Sequence, residues 1–102
     1  EIILVGRKRV GRIWVNRSEE EIRLLDIALL PEYRRRGIGT ALLWGLQQEA
    51  AAGEKPLRHC VYITNHPAVA FYRKLGFEVI EDLGMYYLME WDDAEETQEK
   101  DE

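Results

Sequence analysis

The residues that most clearly point to chemistry are Arg34, Arg35, Arg36, Gly37, Ile38, Gly39 and Thr40, which run straight into an apolar stretch with helical spacing. Three cationic forks suit phosphate oxygens. Two glycines let a ligand approach the backbone without a Cβ in the way. The start of a helix adds unpartnered N–H groups and roughly half a positive charge. Together these describe a polyphosphate site. The formal net charge of the chain is -5, so the arginine run is a local feature and not a sample of a basic surface. Two common phosphate motifs fit poorly. A dinucleotide fingerprint needs a glycine where Leu42 stands, and a Walker loop needs a Gly-Lys-Ser/Thr sequence that is absent.

The elements that must position this turn can be read from periodicity. Residues 1–5 and 10–15 read as a hairpin, and 22–30 as a central strand whose nearly unbroken apolar run predicts cover on both faces. Pro31 ends that strand. Leu42, Leu43, Leu46 and Ala50 then mark a helix that stops at Gly53. Residues 57–64 read as a strand, followed by a second helix in "NHPAVAFYRKLGF". Asn65 or His66 can cap its start, Pro67 suits its first turn and Gly76 suits its end. Two closing strands, 77–80 and 85–91, flank a turn. The expected class is a mixed α/β (α+β) sheet in one domain over residues 1–91, with a charged tail at 92–102 expected to be disordered.

Composition narrows the function. At 102 residues, with 46% hydrophobic and 32% charged residues, the chain reads as one ordinary globular domain without an apolar run long enough to span a membrane. Its acidic balance argues against general nucleic-acid binding. The single cysteine, Cys60, has no second cysteine for a disulfide or a shared metal; it reads as a small buried strand residue, and a cytoplasmic setting without a metal site is expected. Asp26 is the one charge within its apolar run. If buried there it would have a raised pKa suited to a general base, or it would serve as a structural acceptor for Arg12 or Arg23. His59 and His66 read as core and capping residues.

The run "LLDIALLPEYRRRGIGTALL", with its R-x-x-G-x-G core, followed after one strand by "NHPAVAFYRKLGF", resembles the GCN5-related N-acetyltransferase (GNAT) superfamily. That resemblance implies transfer of an acetyl group from acetyl-coenzyme A to a small-molecule or peptide amine. It implies that the backbone of Ile27, Ala28 and Leu29 bonds the pantetheine arm. Arg34, Arg35, Arg36, Gly37, Ile38, Gly39 and Thr40 would hold the pyrophosphate, and Asn65 would touch the cofactor near a splay between strands. Tyr72 would lie by the thioester sulfur as the acid that protonates the departing thiolate. Asp26 is the candidate base, although Arg23 stands near where the family pattern suggests a glutamate.

The family pattern also has a strand and one or two helices ahead of the hairpin that begins here at Glu1, so the chain reads as an N-terminally shortened member. Exposed apolar area and a free strand edge would then favour a homodimer or larger assembly. Two further functional classes stay open at this level: a coenzyme-A-binding module without efficient turnover, and an interaction domain using an exposed sheet face.

Overall fold

The computed structural model describes residues 1–34 and 36–93. Six strands, β1 (Ile2–Val5), β2 (Lys8–Arg17), β3 (Ile22–Leu29), β4 (Leu57–Tyr62), β5 (Glu78–Asp82) and β6 (Tyr86–Trp91), form one sheet in the order β1-β2-β3-β4-β6-β5. Two helices, α1 (Ile38–Ala52) and α2 (His66–Lys74), follow β3 and β4. The sheet is antiparallel except where β3 meets β4, and there the parallel ladder covers only Ile22 with Leu57 and Arg23 with Arg58. Beyond that point the two strands part. The molecule is thus two half-sheets, β1-β2-β3 and β4-β6-β5, joined at a narrow foot.

Leu43, Leu46 and Ala50 of α1 and Tyr72 of α2 belong to the same buried cluster as Val10, Ile13, Leu24, Leu57, Val61 and Met89 of the sheet. Both helices therefore cover one face, and among the described residues nothing packs over the other. This corrects the expectation that β3 is covered on both faces. The apolar run of β3 has a different origin. Trp14 opposes Asp26 and Val15 opposes Leu24, so Leu25 is an extra residue in a β-bulge, and the bulge shifts the alternation by one position. Ile22, Leu24, Ile27 and Leu29 then face the helices, whereas Leu25 is 60% exposed. Asp26 lies on the open face, and so does Cys60, between the buried His59 and Val61. Neither is buried as expected, because period-two alternation carries both away from the helices.

The helix ends are set locally. Asn65 caps α2 by accepting the Ala68 N–H at 3.3 Å. At the other end Gly76 takes a left-handed φ of 96°, while Phe77 N–H reaches the Tyr72 carbonyl and Gly76 N–H the Arg73 carbonyl, a Schellman closure. α1 closes in the same way, but one residue later than expected. Gly53 is right-handed, and Glu54, with φ 55°, occupies the left-handed position while Lys55 N–H bonds the Ala50 carbonyl. Of the tail expected to be disordered, residues 94–102 lie outside the described residues.

At Gly11 of β2 there is no room for a side chain against β3: an added Cβ would run into the Ala28 carbonyl oxygen and stand 3.0 Å from the Leu29 Cα. Gly11→Ala is accordingly expected to destabilise the fold by about 2 kcal/mol or more, read as a lower urea midpoint at unchanged slope.

Candidate active site

Once β3 leaves β4, the strand edge facing the gap has no neighbouring strand among the described residues. Leu30 N–H donates to the Val10 carbonyl, so by antiparallel alternation Ala28 also turns its two backbone groups toward β2, while Ile27 and Leu29 turn theirs toward the gap. Two further contacts agree with this. The Ala28 oxygen is the atom that crowds Gly11, and the Leu29 oxygen accepts from Arg34 Nε at 3.2 Å. Of the three positions expected to meet a pantetheine arm, Ile27 and Leu29 offer backbone groups on that side and Ala28 is spent on β2.

Pro31 then starts a single 3-10 turn that ends at Tyr33 and lifts the chain off the sheet edge. Gly37, at φ 78°, turns it back into α1, where the first intrahelical bond runs from Ala41 N–H to the Gly37 carbonyl. The N–H groups of Ile38, Gly39 and Thr40 precede that bond, and no side chain caps them. They open on a groove of about 350 Å³ lined by Ile27, Leu29, Arg34, Gly37, Gly39, Thr40 and Phe71. A Cβ at Gly37 would meet nothing, and one at Gly39 would meet only the Phe71 ring at 3.8 Å. Gly37 is therefore demanded by backbone conformation, whereas the fold does not need a glycine at position 39. The space there is free for a ligand.

Arg36 lays its guanidinium over the Tyr33 ring, 5.1 Å from the centroid, and does not line the groove. Arg35 lies outside the described residues.

A second cavity, of about 420 Å³, fills the foot of the gap and shares Ile27 with the first. Asp26, Asn65 and Tyr72 are on its wall, so the structure gathers the remaining expected site residues around one space, together with His59, which the sequence reads as a core residue. It adds three that sequence reasoning missed: Cys60, Tyr62 and Tyr86. The two tyrosine rings stack at 4.5 Å. Alternation along β4 could have found Cys60 and Tyr62, since both must leave the face that holds Leu57 and Val61.

Asp26 is bonded by Arg12 Nε at 3.1 Å and is solvent-exposed. The structural-acceptor reading holds for Arg12, and the burial on which the general-base reading depends is absent. Tyr72 is 8% exposed. Burial first, and the negative charge of Asp26 second, raise its phenol pKa, so it stays protonated at neutral pH.

His59 lies against Tyr72, with ring centroids 3.7 Å apart, and meets the Phe77 ring edge-on at 4.9 Å. It is 3% exposed, and neither ring nitrogen has a hydrogen-bond partner among the described residues. Burial, helped by the charge of Arg23, lowers its pKa to about 4. The imidazole beneath the cavity is neutral.

With this geometry in place, comparison with known proteins identifies the relationship. The family model for the acetyltransferase (GNAT) domain matches residues 1–79. The chain belongs to the GNAT acetyltransferase family. Among curated relatives, an N-alpha-acetyltransferase of Sulfurisphaera tokodaii is 41% identical over 68 residues, covering 63% of this chain and 40% of that protein. A mycothiol acetyltransferase of Corynebacterium glutamicum is 37% identical over 83 residues, covering 79% of this chain and 28% of that protein. The chain thus spans well under half the length of either. The paiA N-acetyltransferase of Thermoplasma acidophilum, solved in complex with coenzyme A, superposes with a TM-score of 0.76 at 26% identity, covering 87% of this chain and 57% of that one. Coenzyme A, as the acetyl carrier, is the cofactor of this family, and a groove with open backbone donors and no side chain at Gly37 and Gly39 fits its pyrophosphate.

A histidine that is neutral when folded but protonated when unfolded costs stability as pH falls from about 6.5 toward its folded value of about 4. Between pH 7.5 and pH 5 this loss is expected to reach about 2 kcal/mol. Urea unfolding at the two pH values should register it, and His59→Leu should remove most of the difference.

Proposed function

We propose that this chain carries acetyl-coenzyme-A-dependent acetylation of an amine by direct transfer. The observation that supports it most is continuity. The uncapped start of α1, the free edge of β3 at Ile27 and Leu29, and the buried phenol of Tyr72 border two cavities that share Ile27. Acetyl-coenzyme A bound along that path supplies the thioester that an amine attacks and leaves as the free thiol.

The chain's own residues divide the remaining work. The N–H groups of Ile38, Gly39 and Thr40 meet the pyrophosphate, and Arg34, at the groove wall, adds positive charge beside it. Ile27 and Leu29 hold the extended arm by backbone bonds. Asn65, whose side-chain oxygen is fixed by the Ala68 N–H, borders the arm where the strands part. Tyr72 keeps its proton because burial raises its pKa, and it gives that proton to the departing sulfur.

Asp26 stands on the open side with Arg12 on its carboxylate. There it draws in a protonated amine, whose proton passes to the water that reaches this face. The acceptor approaches across Cys60, Tyr62 and Tyr86. Trp14, paired in register with Asp26 and 59% exposed, gives that approach an apolar flank. The relatives named N-alpha-acetyltransferase and mycothiol acetyltransferase make an α-amine and the precursor of mycothiol's acetylated form the acceptors to try first.

Gly39→Ala separates cofactor binding from folding. Alanine is the better helix former by about 1 kcal/mol, and the Phe71 ring leaves room for it, so the melting temperature should hold or rise. Coenzyme A should raise the melting temperature of the wild-type chain, by about 2.7 kcal/mol of stabilisation at a hundred times Kd, and this gain should be largely lost in the variant. No stabilisation of the wild type by coenzyme A, or equal effects of coenzyme A, NAD and ATP, would sink the reading.

Tyr72→Phe tests the acid. Release of free thiol with an amine panel should fall about a hundredfold or more, while stabilisation by coenzyme A stays near the wild-type value. Unchanged turnover would return Tyr72 to a packing role.

A further inference from the structure

The foot of the gap carries a charge cluster that the chemistry above does not use. Arg23 of β3 and Arg58 of β4 are register partners in the two-pair parallel ladder, on the open face, so two guanidinium side chains rise from adjacent strands about 4.8 Å apart. Like charges so placed repel. Glu21, just before β3, lies between them. It accepts from Arg23 Nε at 3.0 Å through one oxygen and from an Arg58 amino group at 3.1 Å through the other. Arg58 continues to Glu90, its register partner on β6, at 2.8 Å. All four side chains are half-buried or more, so the repulsion is less screened than on an open surface.

We propose that Glu21 is a positioning residue for the cofactor cleft: by bridging Arg23 and Arg58 it clamps the two half-sheets at the short ladder that joins them and so sets how far β3 and β4 diverge. Three observations support the clamp. The turn fixes Glu21 in place, because the Ser18 hydroxyl accepts the N–H groups of Glu20 and Glu21 at 3.3 Å and Ser18 N–H donates to the Glu21 carbonyl at 3.0 Å. The same segment is tied to the start of β4, with Ile22 N–H on the Pro56 carbonyl at 3.0 Å and Lys55 Nζ on the Ser18 carbonyl at 2.6 Å. The guanidinium of Arg23 also acts on His59, the ring beneath Tyr72, so the row lies next to the acid's support. A small opening at the foot is multiplied along the strands, toward the edge groups of Ile27 and Leu29.

This inference rests on the cleft being the coenzyme A site, and the test keeps the two apart. Amide exchange of Ile22, measured without cofactor, reads the foot itself. Glu21→Gln should speed it about tenfold, and the double variant Glu21→Gln with Arg23→Gln, which removes the repulsion and leaves Arg58 on Glu90, should bring it back to within about threefold of wild type. Calorimetry with coenzyme A should follow the same order, with Kd about tenfold weaker in the single variant and largely restored in the double. Arg17→Gln, which breaks an ion pair joining β2 to α1 and not the two halves, should change neither measurement by more than about twofold.

Wild-type exchange at Ile22 in Glu21→Gln would overturn the proposal, as would equal losses in the single and double variants. If the wild-type chain fails to bind coenzyme A, the functional reading fails while the exchange result still decides the clamp. Should Glu21→Gln not fold, Glu21→Asp takes its place. The shorter carboxylate cannot span both guanidiniums, and wild-type exchange in that variant would equally overturn the clamp.

Discussion

The structure depends on a pairing that stops. β3 and β4 share two residue pairs and then diverge, which leaves two strand edges in the middle of a sheet without their ladder. Buried backbone groups need partners, so such an interruption is costly unless something enters the gap or water reaches it. Here the gap opens into cavities on both sides of Ile27, and the backbone groups of Ile27 and Leu29 face it. On the proposed reading, a break that would weaken an ordinary sheet becomes a slot for an extended ligand arm, with the edge of β3 taking the role of a partner strand.

The helices make that slot useful because both lie on the same face. α1 starts directly after the turn that ends β3, so its open N–H groups sit at one end of the slot; α2 starts directly after β4, so Tyr72 comes in from the other side. One face of the sheet holds the helices and the core, and Asp26, Cys60 and Tyr62 lie on the opposite face. On the proposed reading the cofactor enters from the first side and the acceptor from the second, as direct transfer between two substrates requires.

What could be read from the sequence follows from how local each signal is. The turn from Arg34 to Thr40, the cap at Asn65 and the left-handed stop at Gly76 are decided within a few residues, and each lies where its local chemistry puts it. The run of β3 misled because a bulge is a property of two strands: Leu25 looks like evidence of burial until Trp14 and Val15 show that it has no partner. The exposure of Asp26 and Cys60 was not legible either, since which face is covered depends on where distant helices pack, whereas the acceptor role of Asp26 toward Arg12 was among the readings the sequence offered. At the end of α1 a glycine was available, yet the left-handed position fell on Glu54, because the carbonyls of Ala50 and Ala51 choose the donors that close the helix. The partnership of Glu21 with two arginines is invisible in one dimension, as it depends on a parallel register between strands 35 residues apart.

The arginine run that first marked the site has a different physical role from the one its charge suggests. Arg34 spends its Nε on the Leu29 carbonyl and Arg36 stacks on Tyr33, so both are first of all braces for the turn. Their charge still raises the local potential of an otherwise acidic chain, which favours encounter with a polyanion and weakens as salt rises. The backbone N–H groups at the start of α1 are fixed dipoles that need no reorganisation and keep their direction at any ionic strength. On the proposed reading, glycine and helix geometry carry the specificity for a pyrophosphate, and Arg34 and Arg36 hold that geometry in place while drawing the ligand toward it.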